Sequence, residues 1–211
     1  PLYNFYGYEV EGVYESLEDI ENSPKTEKHP SNGVYNRANT VWVGDLKYKD
    51  QITEDTDGDG IPDSGDGVIN DKDRTDIGSP LPKFTFGWNN TFRYKNFDLN
   101  IFINGSYGNK VMNYTLLAGG SGGIGTMRSA WVNQSATATA DHAQLVPIDP
   151  DKVYADGSNW YDDITNVKVA NTGTKVPRPT LADPNDNDRI SSRFVEDGSY
   201  IRIKNIALGY T

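Results

Sequence analysis

The chain has 211 residues, no cysteine and a formal net charge of −10. That length suggests one domain or a piece of one, and zero Cys excludes a disulfide scaffold and a Cys-ligated zinc or iron–sulfur site. The acidic balance argues against nucleic acid as a partner, and no apolar run reaches the roughly 18 residues of a membrane-spanning helix.

In chain order, the sequence opens PLYNFYGYEV, with no Met, no basic n-region and no apolar h-region. It stops at IALGYT, inside a strand-like pattern, so both ends read as cut and the chain as an internal segment. Residues 1–49 read as irregular structure around a short helix. Ser16 followed by Asp19 is a capping-box-like start, Leu17 and Ile20 form its buried side, and Asn22, Ser23 and Pro24 end it. Residues 41–50, VWVGDLKYKD, alternate only partly and lead into an acidic stretch.

Residues 50–76 hold ten acids against Lys72 and Arg74, which accounts for eight of the ten net negative charges. The acidity is therefore a local device. Asp55, Asp57, Asp59, Asp63 and Asp66 occupy positions 1, 3, 5, 9 and 12 of a calcium-loop spacing, with Gly60 at position 6 and the Ile61 carbonyl as backbone ligand. Ca²⁺ takes 6–8 oxygen ligands, which alternate carboxylates in a tight turn supply. Two features depart from an EF-hand: position 12 is Asp rather than Glu, and position 8 is Pro62. A second, overlapping register uses Asp66, Asp71 and Asp73 with Asp63 shared, but its positions 1 and 3 fall on Pro62 and Ser64. The expectation is one structural Ca²⁺; the alternative is a solvated acidic loop.

Residues 84–94 and 97–107 carry the clearest pattern. Phe84, Phe86, Trp88, Phe92 and Tyr94 share one phase, with Asn90 the exception. Phe97, Leu99, Ile101, Ile103 and Tyr107 share the next, with Phe102 out of phase. Period two means strands with one apolar face. Only Lys95 and Asn96 separate them, which predicts a tight antiparallel hairpin. Eleven residues per strand suits a tilted membrane strand of about 9–11, with aromatics at both ends of the apolar face. Trp88, Phe92, Leu99 and Ile101 are then expected to face lipid. A hairpin in a soluble β-sandwich has the same local pattern.

Residues 108–198 show no comparable alternation and are rich in Gly, Asn, Asp, Thr and Pro. A stretch that long without structure is unusual in a compact soluble domain and natural for the long outer loops of a barrel. Strand character returns at 199–211. There Ile201 and Ile203 differ in phase from Ile206, Leu208 and Tyr210, and a bulge near Lys204 and Asn205 would bring all five to one face.

Other motifs carry less. Gly120, Gly122 and Gly125 fit G-x-G-x-x-G with Asp141 downstream, but no parallel βα units accompany them. His29 and His142 sit in no metal or triad spacing, so no catalytic residue is assigned. Trp131 and Trp160 are candidates for stacking on sugar rings; loop anchoring is the competing role.

Several stretches together resemble the SusC/RagA-like TonB-linked outer-membrane transporters: FYGYEVEGVYES (5–16), GDLKYKD (44–50), the block from Gly65 to Asn109, and SRFVEDGSYIRIKNIALGYT (192–211). The 65–109 block is the specific part. It joins the calcium-like loop, the strand entry at Pro82, Lys83 and Phe84, and the hairpin. Residues 51–64 depart from the family pattern as an insertion. The resemblance implies an all-β fold, a segment of a large antiparallel transmembrane barrel with long extracellular loops. In that arrangement 1–83 is an extracellular loop region, 84–107 a transmembrane hairpin, 108–198 a long extracellular loop, and 199–211 the start of the next strand. It further implies a Gram-negative outer membrane with loops facing outward and no enzymatic role. The transporter would import glycan or peptide fragments with a SusD-like lipoprotein, driven through a TonB complex that contacts parts outside this chain. The runner-up is a secreted calcium-stabilised β-sandwich for binding or adhesion, and a third reading is a glycan-cleaving enzyme.

Overall fold

A computed structural model describes residues 3–118, 141–180 and 183–211. The strands in chain order are β1 (Phe5–Tyr8), β2 (Val10–Val13), β3 (Lys25–Thr26), β4 (Leu46–Tyr48), β5 (Val68–Ile69), β6 (Arg74–Gly78), β7 (Phe84–Tyr94), β8 (Phe97–Tyr107), β9 (Lys110–Met112), β10 (Leu145–Pro147), β11 (Val167–Val169), β12 (Val195–Asp197) and β13 (Tyr200–Tyr210). Two short helices, α1 (Leu17–Asn22) and α2 (Tyr114–Ala118), interrupt them. The chain divides into two compact units. One holds 3–5, 76–112 and 195–211, the other 6–75 and the described parts of 113–194.

The first unit is built on a three-stranded antiparallel sheet in the order β13-β8-β7. All three strands have eleven residues. β7 and β8 pair without a slip from Phe84 opposite Tyr107 to Tyr94 opposite Phe97. The turn between them places Lys95 at φ 52°, the positive φ that primed hairpin turns put at their first central residue. β13 pairs with β8 along its whole length, with a register shift between Ile203 and Asn205. Lys204 is the extra residue of that bulge, and it restores the phase of Ile206, Leu208 and Tyr210 to that of Ile201 and Ile203.

The pairing aligns the side chains in rows. On one face lie Phe86–Gly105–Ile201, Trp88–Ile103–Ile203, Asn90–Ile101–Ile206 and Phe92–Leu99–Leu208. Aromatic rows close both ends: Phe84 with Tyr107, and Tyr94, Phe97 and Tyr210 together. Phe97 and Tyr210 touch with ring centroids 4.9 Å apart, Phe84 and Tyr107 at 5.4 Å. The opposite face carries Gly87–Asn104–Arg202, Thr91–Asn100–Ala207 and Arg93–Asp98–Gly209, and Asn100 donates to Thr91 Oγ1 at 3.0 Å. Phe102 is the apolar intruder on this polar face. Its ring lies over Gly87, 3.5 Å from where a Cβ would stand, so it covers a gap rather than breaking the pattern.

The apolar face is open. Trp88 is 59% exposed, Ile206 62% and Leu208 71%. Among the described residues no second sheet packs on it, as a sandwich would require. Ten residue steps at about 3.3 Å span roughly 33 Å along a strand, or about 25 Å at a tilt near 40°. That is the height of the apolar band of a membrane barrel.

The second unit has a buried core of its own. It draws on both stretches that lack long alternation, 6–75 and 113–194. Val41, Trp42 and Val43 are fully buried in succession, with Tyr14, Ile20, Leu46, Tyr48 and Val167 around them. β2 pairs antiparallel with β4, β3 parallel with β5, and β10 antiparallel with β11. α1 begins at Ser16, whose hydroxyl accepts from the Asp19 N–H at 3.2 Å, and it buries Ile20. Gly44 sits at φ 89° in the left-handed region. A Cβ there would press on Arg178, Leu145 and Ala143 at 3.1–3.3 Å.

A buried polar network ties residues 41–48 to 178–187. Arg178 Nε lies 2.8 Å from Asp45 Oδ1, off the line of a hydrogen bond, while Nη2 donates to Oδ2 at 3.2 Å. Asp45 also accepts the Trp42 N–H and the Asn187 amide. Asn187 accepts from the Leu46 N–H at 2.8 Å and donates to Asp183 at 2.7 Å. Burial pushes the Asp45 carboxyl up, and Arg178 pulls it back. Burial likewise raises Asp183 to about 6. Beside the network, the Arg189 guanidinium lies over the rings of Tyr8 and Tyr48 at 5.0 and 4.8 Å.

Candidate functional site

The acidic segment leaves β4 at Lys49 and Asp50. Thr53 and Glu54 bond back to Ser64, and Asp63 bonds to Glu54, which closes a narrow neck. Residues 55–63 project from that neck as a tight loop. Asp55 accepts from the Gly58 and Gly60 N–H groups, both at 2.7 Å. Asp57 accepts from the Asp59 N–H at 3.1 Å, and Asp59 from the Ile61 N–H at 2.8 Å. Each Asp thus bonds to its own backbone a few residues on, as Asx turns do. Gly58 and Gly60 supply the positive φ, 80° and 86°, that this path needs. The backbone N–H groups of Gly60 and Gly58 hold the Asp55 carboxyl below the usual carboxylate range.

The side chains of Asp55, Asp57 and Asp59 converge, with one oxygen of each within 4.8 Å of the others, and all three residues are exposed. Asp63 stands at the neck, where it accepts from the Thr56 N–H and hydroxyl at 3.1 and 2.8 Å. Ile61 is 67% exposed at the loop tip.

Asp66 belongs to the following turn. It accepts from the Val68 N–H at 3.0 Å and lies 3.6 Å from Lys72 Nζ. Asp71 accepts from the Tyr8 hydroxyl at 3.3 Å. Asp73 is fully buried and caps its own turn, taking the Asn70 N–H at 2.6 Å and the Gln51 N–H at 2.9 Å. Asp50 accepts from the Gly67 N–H at 2.8 Å, and a Cβ at Gly65 would collide with its carboxylate. Burial first, then the negative charge of Asp73 and Asp66, pushes Asp50 up. The stretch is therefore two devices: an exposed loop with three converging carboxylates, and a following turn anchored by the buried Asp73.

Trp160 is half-buried and packs against the core, edge-on to Tyr161 at 5.7 Å. Arg37 lies over the Tyr161 ring at 4.9 Å and pairs with Asp162 at 2.8 Å. Trp131 and the glycine run at 120–125 lie outside the described residues. His29 packs edge-on to Tyr35 at 6.1 Å, and burial lowers its pKa.

No protein-family model matches the chain. It is 34% identical over 207 residues, 98% of its length, to TonB-dependent receptor P3 of Formosa agariphila, and it covers 15% of that relative. It is 30% identical over 169 residues, 80% of its length, to TonB-dependent receptor P26 of the same organism, of which it covers 12%. The chain thus spans about one seventh or less of the curated relatives it matches.

Proposed function

We propose that this chain, an all-β segment of a TonB-dependent receptor, supplies three wall strands to an outer-membrane importer. The observation that carries this reading is the β13-β8-β7 sheet. Its equal strands present one continuous apolar face, bounded by aromatic rows at both ends. The two-residue connection at Lys95 and Asn96 is the periplasmic end, because barrels keep short turns there and long connections outside. The second unit then stands on the cell exterior. In the SusC/RagA type that the sequence resembles, the whole protein imports glycan or peptide fragments with a SusD-like lipoprotein and is energised through TonB. Deleting the full-length gene tests this. Growth on one class of glycan or peptide fragment should cease, as it should when TonB is depleted. Undiminished growth on every such substrate would contradict it.

The reading includes one structural Ca²⁺ on Asp55, Asp57 and Asp59. Three convergent carboxylates in a loop already closed by Asx turns suit a hard cation with oxygen ligands. Asp63 and the Ile61 carbonyl are the nearest further donors in sequence. Asp66 lies outside the group of converging carboxylates and stands 3.6 Å from the Lys72 ammonium, which favours a site centred on the first three acids. Bound metal stabilises the loop because an empty one leaves like charges crowded together. Asp57→Ala with Asp59→Ala in the full-length receptor should abolish calorimetric calcium binding at this loop and make it chelator-insensitive to protease. Unchanged binding would refute the site.

A further inference from the structure

The excursion of residues 51–64 hides a second acidic pairing at its root. Its neck, where Thr53 and Glu54 bond to Ser64, brings the chain back to where it left. Asp50 therefore meets Gly67 across 17 positions, and the Gly67 N–H donates to Asp50 Oδ2 at 2.8 Å. The carboxylate lies so close over Gly65 that a Cβ there would collide with it. The other oxygen, Oδ1, is sealed from solvent and receives no hydrogen bond. The Asp50 carboxyl comes within hydrogen-bonding reach of the carboxyl of Asp73, which is fully buried, and it feels the charge of Asp66 as well.

Two carboxyl groups thus face each other with no protein donor between them, and no protein cation offsets them. Among the described residues no Lys or Arg pairs with Asp50 or Asp73. Lys72 lies 3.6 Å from Asp66 and 3.8 Å from Glu54, and the Arg74 guanidinium lies over the Tyr6 ring at 5.4 Å. Buried charges are paired or coordinate a metal. A shared proton is the other way to join two carboxyl groups. Here the Gln51 and Asn70 N–H groups bond Asp73, one to each oxygen, and the Gly67 N–H bonds Asp50. Backbone donors of this kind favour the ionised form of both. An all-oxygen set of negative charge suits a hard divalent cation, and the irregular mixture of carboxylates and loop backbone suits Ca²⁺ better than the strict octahedron of Mg²⁺.

We propose that Asp50 and Asp73 hold a Ca²⁺ ion of their own, separate from the one at residues 55–59, with Asp66 as the third carboxylate. The ion ties the end of β4 to the turn that precedes β6, and so fastens the root from which the acidic loop projects. The site is split in sequence by the excursion. It depends neither on the barrel reading nor on the loop ion.

The test is hydrogen exchange of the donor amides in the full-length receptor in mild detergent, in Ca²⁺ against EGTA. An ion held only by the closed turn slows opening by a factor of 1 + [L]/Kd, so at about ten times the dissociation constant the Gln51, Gly67 and Asn70 amides should exchange about tenfold more slowly in calcium. The slowing should persist in Asp57→Ala with Asp59→Ala, which removes the loop ion. It should vanish in Asp50→Asn, which keeps an oxygen for the Gly67 N–H and loses the charge, while protection retained at the Trp42 amide shows that the core is folded. Calcium-insensitive exchange at the three amides in the wild type overturns the site and leaves the loop ion standing. Equal slowing in Asp50→Asn, with Trp42 protected, does the same. Slowing that disappears in the loop double variant assigns the effect to residues 55–59 and also overturns the site. The comparison of wild type with the double variant changes nothing at Asp50, so it decides whether or not Asp50→Asn folds.

Discussion

Replacing Arg178 with Met should lower the opening free energy of the second unit by about 3–5 kcal/mol, the range for removing one partner of a buried ion pair. Asp45 is fully buried and the Arg178 side chain nearly so. Without the guanidinium, the carboxylate keeps only the Trp42 N–H and the Asn187 amide. The cost comes from the stranded charge more than from the lost attraction, so Arg178→Met with Asp45→Asn should recover much of it. The Trp42 and Leu46 N–H groups, which donate into this network, are local reporters. Their hydrogen exchange in the full-length receptor should accelerate by roughly two to three orders of magnitude in the single variant. Exchange within a factor of two of wild type would mean that the pair contributes little.

The second large effect lies on the sheet. Ile103 sits between Trp88 and Ile203 in a middle row of the apolar face. Ile103→Arg should cost about 2–4 kcal/mol, the range for a cation at the bilayer midplane, whereas Phe97→Arg in the end row should cost only about 0–1. Asn104→Arg, one residue away on the polar face, should leave insertion and heat resistance near those of the parent. The depth gradient and the alternation together mark a lipid face. A soluble sheet edge would show neither, and equal tolerance of Arg at 97, 103 and 104 would exclude lipid there.

The three long strands were legible because a sheet with one apolar face writes a period of two along each strand. Asn90 stands in the apolar row opposite Ile101 with no local reason, and the other two exceptions have one. Phe102 covers Gly87, and the phase change in β13 is absorbed by the bulge at Lys204. The second unit was much less legible. Its core takes Val41, Trp42 and Val43 in succession, which has neither period, and its paired strands are two to four residues long. Asp45 and Arg178 are brought together across 133 positions, and no local pattern announces that. In the acidic stretch, the convergence of Asp55, Asp57 and Asp59 follows from spacing two apart in a glycine turn. The placement of Asp66 does not, because two registers overlap there. Long-range partners shape that turn: Asp50 holds the Gly67 N–H, and Asp73 holds the Gln51 N–H.

The central claim is that β8 has one side to lipid and one to the barrel interior. Single spin labels placed in turn at positions 97–107 of the full-length receptor in bilayers test it most directly, and the chain itself offers no cysteine to interfere. Collision with oxygen should peak at 99, 101 and 103, and collision with a water-soluble nickel chelate at 98, 100, 102 and 104, in strict alternation. Uniform accessibility to the nickel chelate along the strand would contradict it.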